Sequence, residues 1–309
     1  MSLKNKAYSG IWGFIVGDAM GVPHEFRDRA SLEINPVSGM TGGGIHDQPP
    51  GTWSDDTSMM LCVLENSYNH GNTISLAQLF LKWYENGHHT AHGKLFDIGE
   101  TTQLALERIR NLIPPHKSGL NDKKAAGNGS LMRSLPYAFM EDFDRGAYKM
   151  VLENKITHRL SICHESCLFY IRMARSLAEG RSKYDAQKDA CQYLWMGWRI
   201  SDQANEQCKE IFSRLFSVRF SMLPKESVTS SGYVIETLES AIWCFMNGEN
   251  YESCVLKAVN LGGDSDTIAA LTGGLAGIYY GFLSIPLDWK NSIYKKDKLD
   301  ELIKTFLRK

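Results

Sequence analysis

The sequence predicts an all-α protein. Two observations carry this. Apolar residues recur at i, i+3, i+4 and i+7 in segment after segment, and alternating strand patterns closed by paired turns are nearly absent. A third agrees, since small residues spaced four apart in two separate segments suit closely packed helices.

The first segment, "MSLKNKAYSGIWGFIVGDAMG", places Gly13, Gly17 and Gly21 on one helical face. Asp18 interrupts its apolar run below the roughly 20 residues a bilayer needs, and no cleavage-site pattern follows. Residues 27–53 are expected to be non-helical, with Pro36, Gly39, "TGGG" and "DQPPG"; loops of that length are usually functional or mobile. The best strand candidate, Ile34 to Val37, is weakened by Pro36.

In "NTISLAQLFLKWYENG", Leu76, Leu79, Phe80, Trp83 and Tyr84 form one helix face, and Asn86-Gly87 stops it. The same period predicts helices near 145–156, 159–179, 184–198, 203–217 and 296–307. Val234, Leu238, Ala241, Ile242 and Phe245 repeat it after a Ser-Ser-Gly start. The last glycine-rich helix, "LGGDSDTIAALTGGLAGIYYG", offers Gly273, Gly274, Gly277 and Gly281 as a bare packing surface. Trp83, Trp195, Trp198 and Trp243 fall in helical patterns and are assigned to the core. With no linker, composition shift or repeat, residues 1–309 are expected to form one domain.

The chain has 309 residues, 43% hydrophobic and 22% charged, which excludes disorder as its main state. Lys and Arg number 34 against 35 Asp and Glu, so no cationic surplus exists for nucleic acid as an extended ligand. A small anionic ligand stays open. Seven cysteines without repeated spacing read as reduced thiols, so a cytoplasmic protein is expected. The interrupted apolar run adds the expectation of no membrane association, and a monomer is favoured.

Two acidic clusters carry the chemistry. "SDDT" presents Ser54, Asp55, Asp56 and Thr57; "DSDT" presents Asp264, Asp266 and Thr267, each at a helix start. Either alone reads as an N-cap with first-turn acids. Capping needs one oxygen, however, and four carboxylates brought together would repel unless cations neutralised them. Oxygen donors without nearby Cys or His in either motif select Mg²⁺, Mn²⁺ or Ca²⁺ over Zn²⁺, and four carboxylates suit two divalent ions. The carboxylates alone would equally allow a two-metal phosphoesterase or nucleotide hydrolase.

"GDAMGVPHEF", "GTWSDDTSM", "FDIGETT", "GNGSLMRSLP", "ITHRL" and "SGYVIETLESAIW" followed by "AVNLGGDSDTIAALTGGLAGIYYG" resemble, in order and spacing, the ADP-ribosylglycohydrolase family over about residues 8–285. The resemblance implies a compact orthogonal bundle of helices, a binuclear Mg²⁺ or Mn²⁺ site at helix N-termini, and hydrolysis of the glycosidic bond between ADP-ribose and an acceptor. The implied metal ligands are Ser54, Asp55, Asp56, Asp264, Asp266 and Thr267. Glu25 matches a glutamate near the metals that orients water or gates the site. Glu25, Asp55, Asp56 and Asp264 are the candidate bases.

Substrate contacts implied by the resemblance are Asp97, Gly99, Glu100, Asn128, Gly129, Ser130, Met132 and His158. "GNGS" has an independent basis, since glycine-rich backbone entering a helix can cradle phosphate. Glu100 departs from the asparagine of many relatives, and a carboxylate there would repel a diphosphate or alter the leaving-group contact. The expected substrate is ADP-ribosyl-arginine on protein. ADP-ribosyl-serine, a small ADP-ribose conjugate and a non-catalytic ADP-ribose-binding role are the alternatives.

Two further groups read as structural. "ENGHHTAHGK" gathers His88, His89 and His92 after a helix stop, without a companion cluster at ligand spacing, and is assigned to a surface or substrate-rim loop. Cys163 and Cys167, one helical turn apart, are assigned to packing.

Overall fold

The computed structural model describes residues 2–201 and 206–308. Its helices are α1 (Leu3–Gly21), α2 (Arg29–Ile34), α3 (Asp55–Tyr68), α4 (Thr73–Asn86), α5 (Glu100–Arg110), α6 (Pro115–Ser118), α7 (Phe143–Asn154), α8 (Ser161–Ala178), α9 (Lys183–Ser201), α10 (Glu206–Ile211), α11 (Val234–Asn247), α12 (Tyr251–Val259), α13 (Ser265–Tyr280), α14 (Leu287–Ser292) and α15 (Lys296–Leu307). Among the described residues there is no strand, only three isolated bridges. No described helix is long and apolar enough to cross a membrane.

The centre is the pair α1 and α13. Helix α1 is buried on every side from Ser9 to Gly21, as its nearly continuous apolar sequence requires. It runs antiparallel to α13, and glycines let the two backbones touch. A Cβ on Gly13 would lie 2.3 Å from the Gly273 carbonyl oxygen, and one on Gly17 would lie 2.1 Å from that of Ala269. Gly274 instead faces α8, where the Tyr170 hydroxyl donates to the Leu271 carbonyl at 2.9 Å. Gly281 does not belong to this surface: it sits just beyond α13 with φ 90°, ending the helix.

Several expectations change. Residues 29–34 are helical, begun by Asp28, whose carboxylate accepts the Ser31 N–H at 2.9 Å. Ile34 therefore ends a helix and starts no strand, while Val37 exchanges two hydrogen bonds with the Asn260 side chain. The helix expected over 203–217 begins in residues outside the described ones; its remainder stops at Ile211 and becomes turns. Trp83 is fully buried and Trp198 stacks on Phe216 at 5.5 Å, but Trp195 is 45% exposed and belongs to the surface. Trp243 is half-buried, donating to the Leu223 carbonyl. All seven cysteines are free thiols.

Candidate active site

The C-terminal end of α1 holds both acidic helix starts. Asp18, wholly buried, accepts the Ser54 backbone N–H with both carboxylate oxygens, at 3.0 and 3.2 Å, and the Thr57 N–H at 3.0 Å. The Ser54 hydroxyl accepts the Asp56 N–H at 3.2 Å. These bonds meet the Ser54, Asp56 and Thr57 N–H groups at the start of α3, so Asp55 and Asp56 are not needed as caps. One turn on, the Gly21 carbonyl accepts the Ser265 hydroxyl at 2.9 Å, which seats the start of α13 against the same end of α1. Asp264 occupies the N-cap position of α13, yet its side chain caps nothing. The two starts face each other: the Thr267 hydroxyl donates to Asp56 Oδ1 at 3.4 Å.

Glu25 follows the single 3₁₀ turn Val22–His24 that leaves α1. Beyond it Phe26 takes a left-handed backbone, φ 61°, held by its N–H on the Gly263 carbonyl at 2.7 Å. Arg29 binds the carbonyls of Leu261, Lys225 and Val228 and so ties α2 to the loops that precede Asp264. Carboxylate oxygens of Glu25, Asp264 and Asp266 lie within 4.8 Å of one another, and Glu25, His46 and Asp97 form a second such group.

The electrostatics are those of crowded acids. Burial, then the charges of Asp97, Asp264 and Asp18, push Glu25 up to about 9. Burial raises Asp18 to about 6 despite the N–H groups it accepts. Burial and neighbouring carboxylates hold Asp55, Asp56 and Asp266 well above the usual range, and burial raises Asp97. Asp56 Oδ2 is buried with no hydrogen-bond partner. Among the described residues, no lysine or arginine lines the cavity that these groups floor. A hard oxygen donor set with an unpartnered buried oxygen and no internal cation fits divalent metal ions.

The cavity measures about 650 Å³. Its floor carries Glu25, Asp55, Asp56, Asp264, Asp266 and Thr267. One wall is the segment Asp97 to Thr102, where Gly99 precedes α5 without a side-chain cap and Glu100 is exposed. The other includes Asn128, Gly129, Met132 and His158. Asn128 donates its amide to Asp264 Oδ2 at 2.7 Å and Thr237 Oγ1 at 3.0 Å. "GNGS" does not enter an α-helix as expected: residues 129–133 form turns ahead of a 3₁₀ segment, Leu135–Phe139. Buried Arg133 props that turn, donating to the Gly129 carbonyl and to Thr157, whose hydroxyl also bonds His158 Nδ1. Burial lowers His158 to about 3, so its ring is neutral.

Ser54 and Ser130 do not line the cavity. Ser54 lies behind Asp56 as the helix cap, and Ser130 is fully buried, accepting from the Cys167 thiol at 3.7 Å. The substrate-rim reading of "ENGHHTAHGK" is corrected. His88 and His89 line another cavity, and His92 bonds the Thr52 hydroxyl.

The sequence profile described as ADP-ribosylglycohydrolase matches residues 1–309. The chain belongs to the ADP-ribosylglycohydrolase family. It is 31% identical to the ADP-ribosylarginine hydrolase Tri1 of Serratia proteamaculans (strain 568), across 96% of this chain and 78% of that protein. It is 28% identical to the ADP-ribosyl-[dinitrogen reductase] glycohydrolase of Rhodospirillum rubrum, across 96% and 92%. A solved structure of an ADP-ribosylglycohydrolase-related protein complex superposes with a TM-score of 0.80 at 29% identity, covering 99% of this chain and 98% of that one.

The fold also brings to the site residues that sequence reasoning passed over. Asp18 had a signal, being a lone acid in a buried apolar helix. His46 had none: it sits in a glycine-rich loop, and only folding brings its Nε2 to 2.5 Å from Glu25 Oε2 and its ring to 5.2 Å from Phe96. Phe26, 63% exposed at the cavity, is marked by its backbone conformation rather than by any sequence pattern.

Proposed function

We propose that this chain is a metal-dependent hydrolase that releases ADP-ribose from modified arginine side chains on proteins. The observation that carries the reading is the meeting of "SDDT" and "DSDT" on the floor of a cavity lined by no lysine or arginine among the described residues. The activity named for the Serratia relative supports the arginine linkage. We read residues 1–309 as one domain, and the seven free thiols support a reducing, cytoplasmic setting.

Asp55, Asp56, Asp264, Asp266, Thr267 and Ser54 would hold two divalent cations, Mg²⁺ or Mn²⁺. The Ser54 hydroxyl keeps a second lone pair beyond the one given to Asp56 N–H. Bound there, such ions supply the positive charge that neutralises the acids and polarises the ribose hydroxyls or water.

The chain's own groups do the rest. Asn128 fixes the Asp264 carboxylate, and Thr267 orients Asp56. The uncapped start of α5 offers N–H groups to the diphosphate. Cleavage at the ribosyl C1 passes through an oxocarbenium-like state and requires a base for water. Glu25 is suited to it, with one oxygen on His46 and the other left for the proton. Glu100, exposed at the cavity wall, complements a cationic guanidinium better than a serine hydroxyl.

The test is release of free ADP-ribose from arginine-linked and serine-linked ADP-ribosyl peptides, with Mg²⁺, with Mn²⁺ and with chelator. Metal-dependent release of intact ADP-ribose from the arginine peptide, lost in Asp55→Ala and Asp266→Ala, is expected. AMP as product would make the protein a phosphoesterase; release from the serine peptide alone would overturn the arginine assignment.

A further inference from the structure

On the far side of α3 from the acidic floor, a different donor set converges. Glu65 lies ten residues beyond Asp55, about 15 Å along the same helix. Its Oε2 accepts from Nε2 of both His88 and His89, each at 2.7 Å. The two rings stand 3.9 Å apart between centroids. They are presented by a tight turn after α4: Gly87 and His89 are both left-handed, at φ 66° and 62°, and the Thr90 hydroxyl donates back to the Gly87 carbonyl. A left-handed histidine costs backbone strain that its surroundings must hold in place. The Trp53 indole does so by donating to the His89 carbonyl at 3.0 Å.

Two imidazole nitrogens and one carboxylate oxygen meeting within 4.8 Å is a ligand set, and the sequence conceals it because Glu65 lies more than 20 residues from the histidines. We propose that Glu65, His88 and His89 form a second metal site, for one divalent transition ion of the Zn²⁺ class. Imidazole nitrogen prefers such ions, whereas the all-oxygen floor suits harder ones, so the two sites differ in metal choice. Three protein ligands leave a fourth position for water or a small ligand. That position opens into a separate cavity of about 470 Å³, which shares no lining residue with the acidic one.

The protonation states agree with this. Hydrogen bonds from His89 and His88 bring Glu65 down to about 2, and burial keeps His89 neutral. The charged groups facing the site from α15 and the residue before it are Lys295, Lys298 and Glu301, of which the two lysines oppose a cation and the glutamate favours it. Tetrahedral ligands at ordinary zinc distances stand about 3.3 Å apart, so the present 2.7 Å contacts would open by about half an ångström. The Glu65 and His88 side chains are a quarter to a third exposed and have room for that movement. An ion here would clamp the 87–90 turn onto α3 and, through Trp53, brace the residue before Ser54.

The test titrates Zn²⁺, and Co²⁺ as its spectroscopic stand-in, into metal-stripped full-length protein with Mg²⁺ in excess to occupy the oxygen cluster. Wild type is expected to bind one more equivalent than His88→Ala/His89→Ala and to show the visible bands of tetrahedral Co²⁺, which the double variant lacks. Glu65→Gln keeps the side-chain shape, serves if the double variant does not fold, and should weaken Zn²⁺ binding at least about tenfold. Equal stoichiometry and equal Co²⁺ spectra in wild type and these variants would overturn the proposal.

Discussion

Asp18 and Ser54 are joined by a buried bond in which both oxygens of one carboxylate accept a single backbone N–H. The consequence lies in what it releases. With the α3 start capped from α1, the neighbouring carboxylates of Asp55 and Asp56 are left for the cavity.

Asp18→Ala should therefore leave two buried N–H groups, on Ser54 and Thr57, without partners, at about 1–3 kcal/mol each. Urea unfolding in saturating Mg²⁺ should show that loss, together with weaker Mg²⁺ binding. Unchanged stability and binding would remove Asp18 from this role.

Gly17→Ala would drive a Cβ to 2.1 Å from the Ala269 carbonyl oxygen, a backbone atom that cannot swing aside. A loss of about 1–3 kcal/mol or more is expected from overpacking. Gly99→Ala is the control, since nothing lies within 4 Å of its added Cβ and its stability should not change.

Metal removal should invert the usual acid sensitivity. Glu25, Asp18, Asp55, Asp56 and Asp266 all have raised values when folded, so each binds its proton more readily in the folded chain. Their contribution is fully present below the ordinary carboxylate range and is lost as pH rises through the raised values, about 6 for Asp18 and about 9 for Glu25. Calorimetry of the chelated protein should show Tm falling as pH is raised from about 5 to about 8, with Mg²⁺ flattening the slope. A Tm that rises over this range in chelator would contradict the crowded-acid picture.

Glu25→Gln should lower kcat by about a hundredfold or more while ADP-ribose affinity changes less. Single-turnover rates and calorimetric binding separate the two effects. A larger loss in binding than in rate would make Glu25 a substrate-holding residue.

Glu100→Asn tests the acceptor. If the exposed carboxylate meets the guanidinium, the variant should lose rate on the arginine-linked peptide and shift its ratio toward the serine-linked one. An unchanged ratio would detach Glu100 from acceptor choice.

The long helices were legible because each repeats its apolar face several times: α4 and α15 fall within a residue or two of their expected bounds. Helix α2 escaped because six residues hold less than two turns, too few for a period to register, and only Asp28 announced it. The expected helix near 203–217 overran because its apolar residues continue into turns. In the site, the two acidic signatures were readable as surplus oxygen. Ser130 was not separable from its neighbours, because a family motif does not say which of its side chains turn inward.

The sequence by itself determined the helical class, the close approach of two glycine-bearing helices and the two acidic starts, since each is written in spacings within one or a few turns. Tertiary structure alone decided that α1 and α13 run antiparallel, so that Asp18 and Gly21 hold both starts at one end. It alone brought His46 to Glu25 and Glu65 to His88 and His89. Spacing along a helix carries distance for only a few residues, and beyond that proximity is set by how whole helices pack.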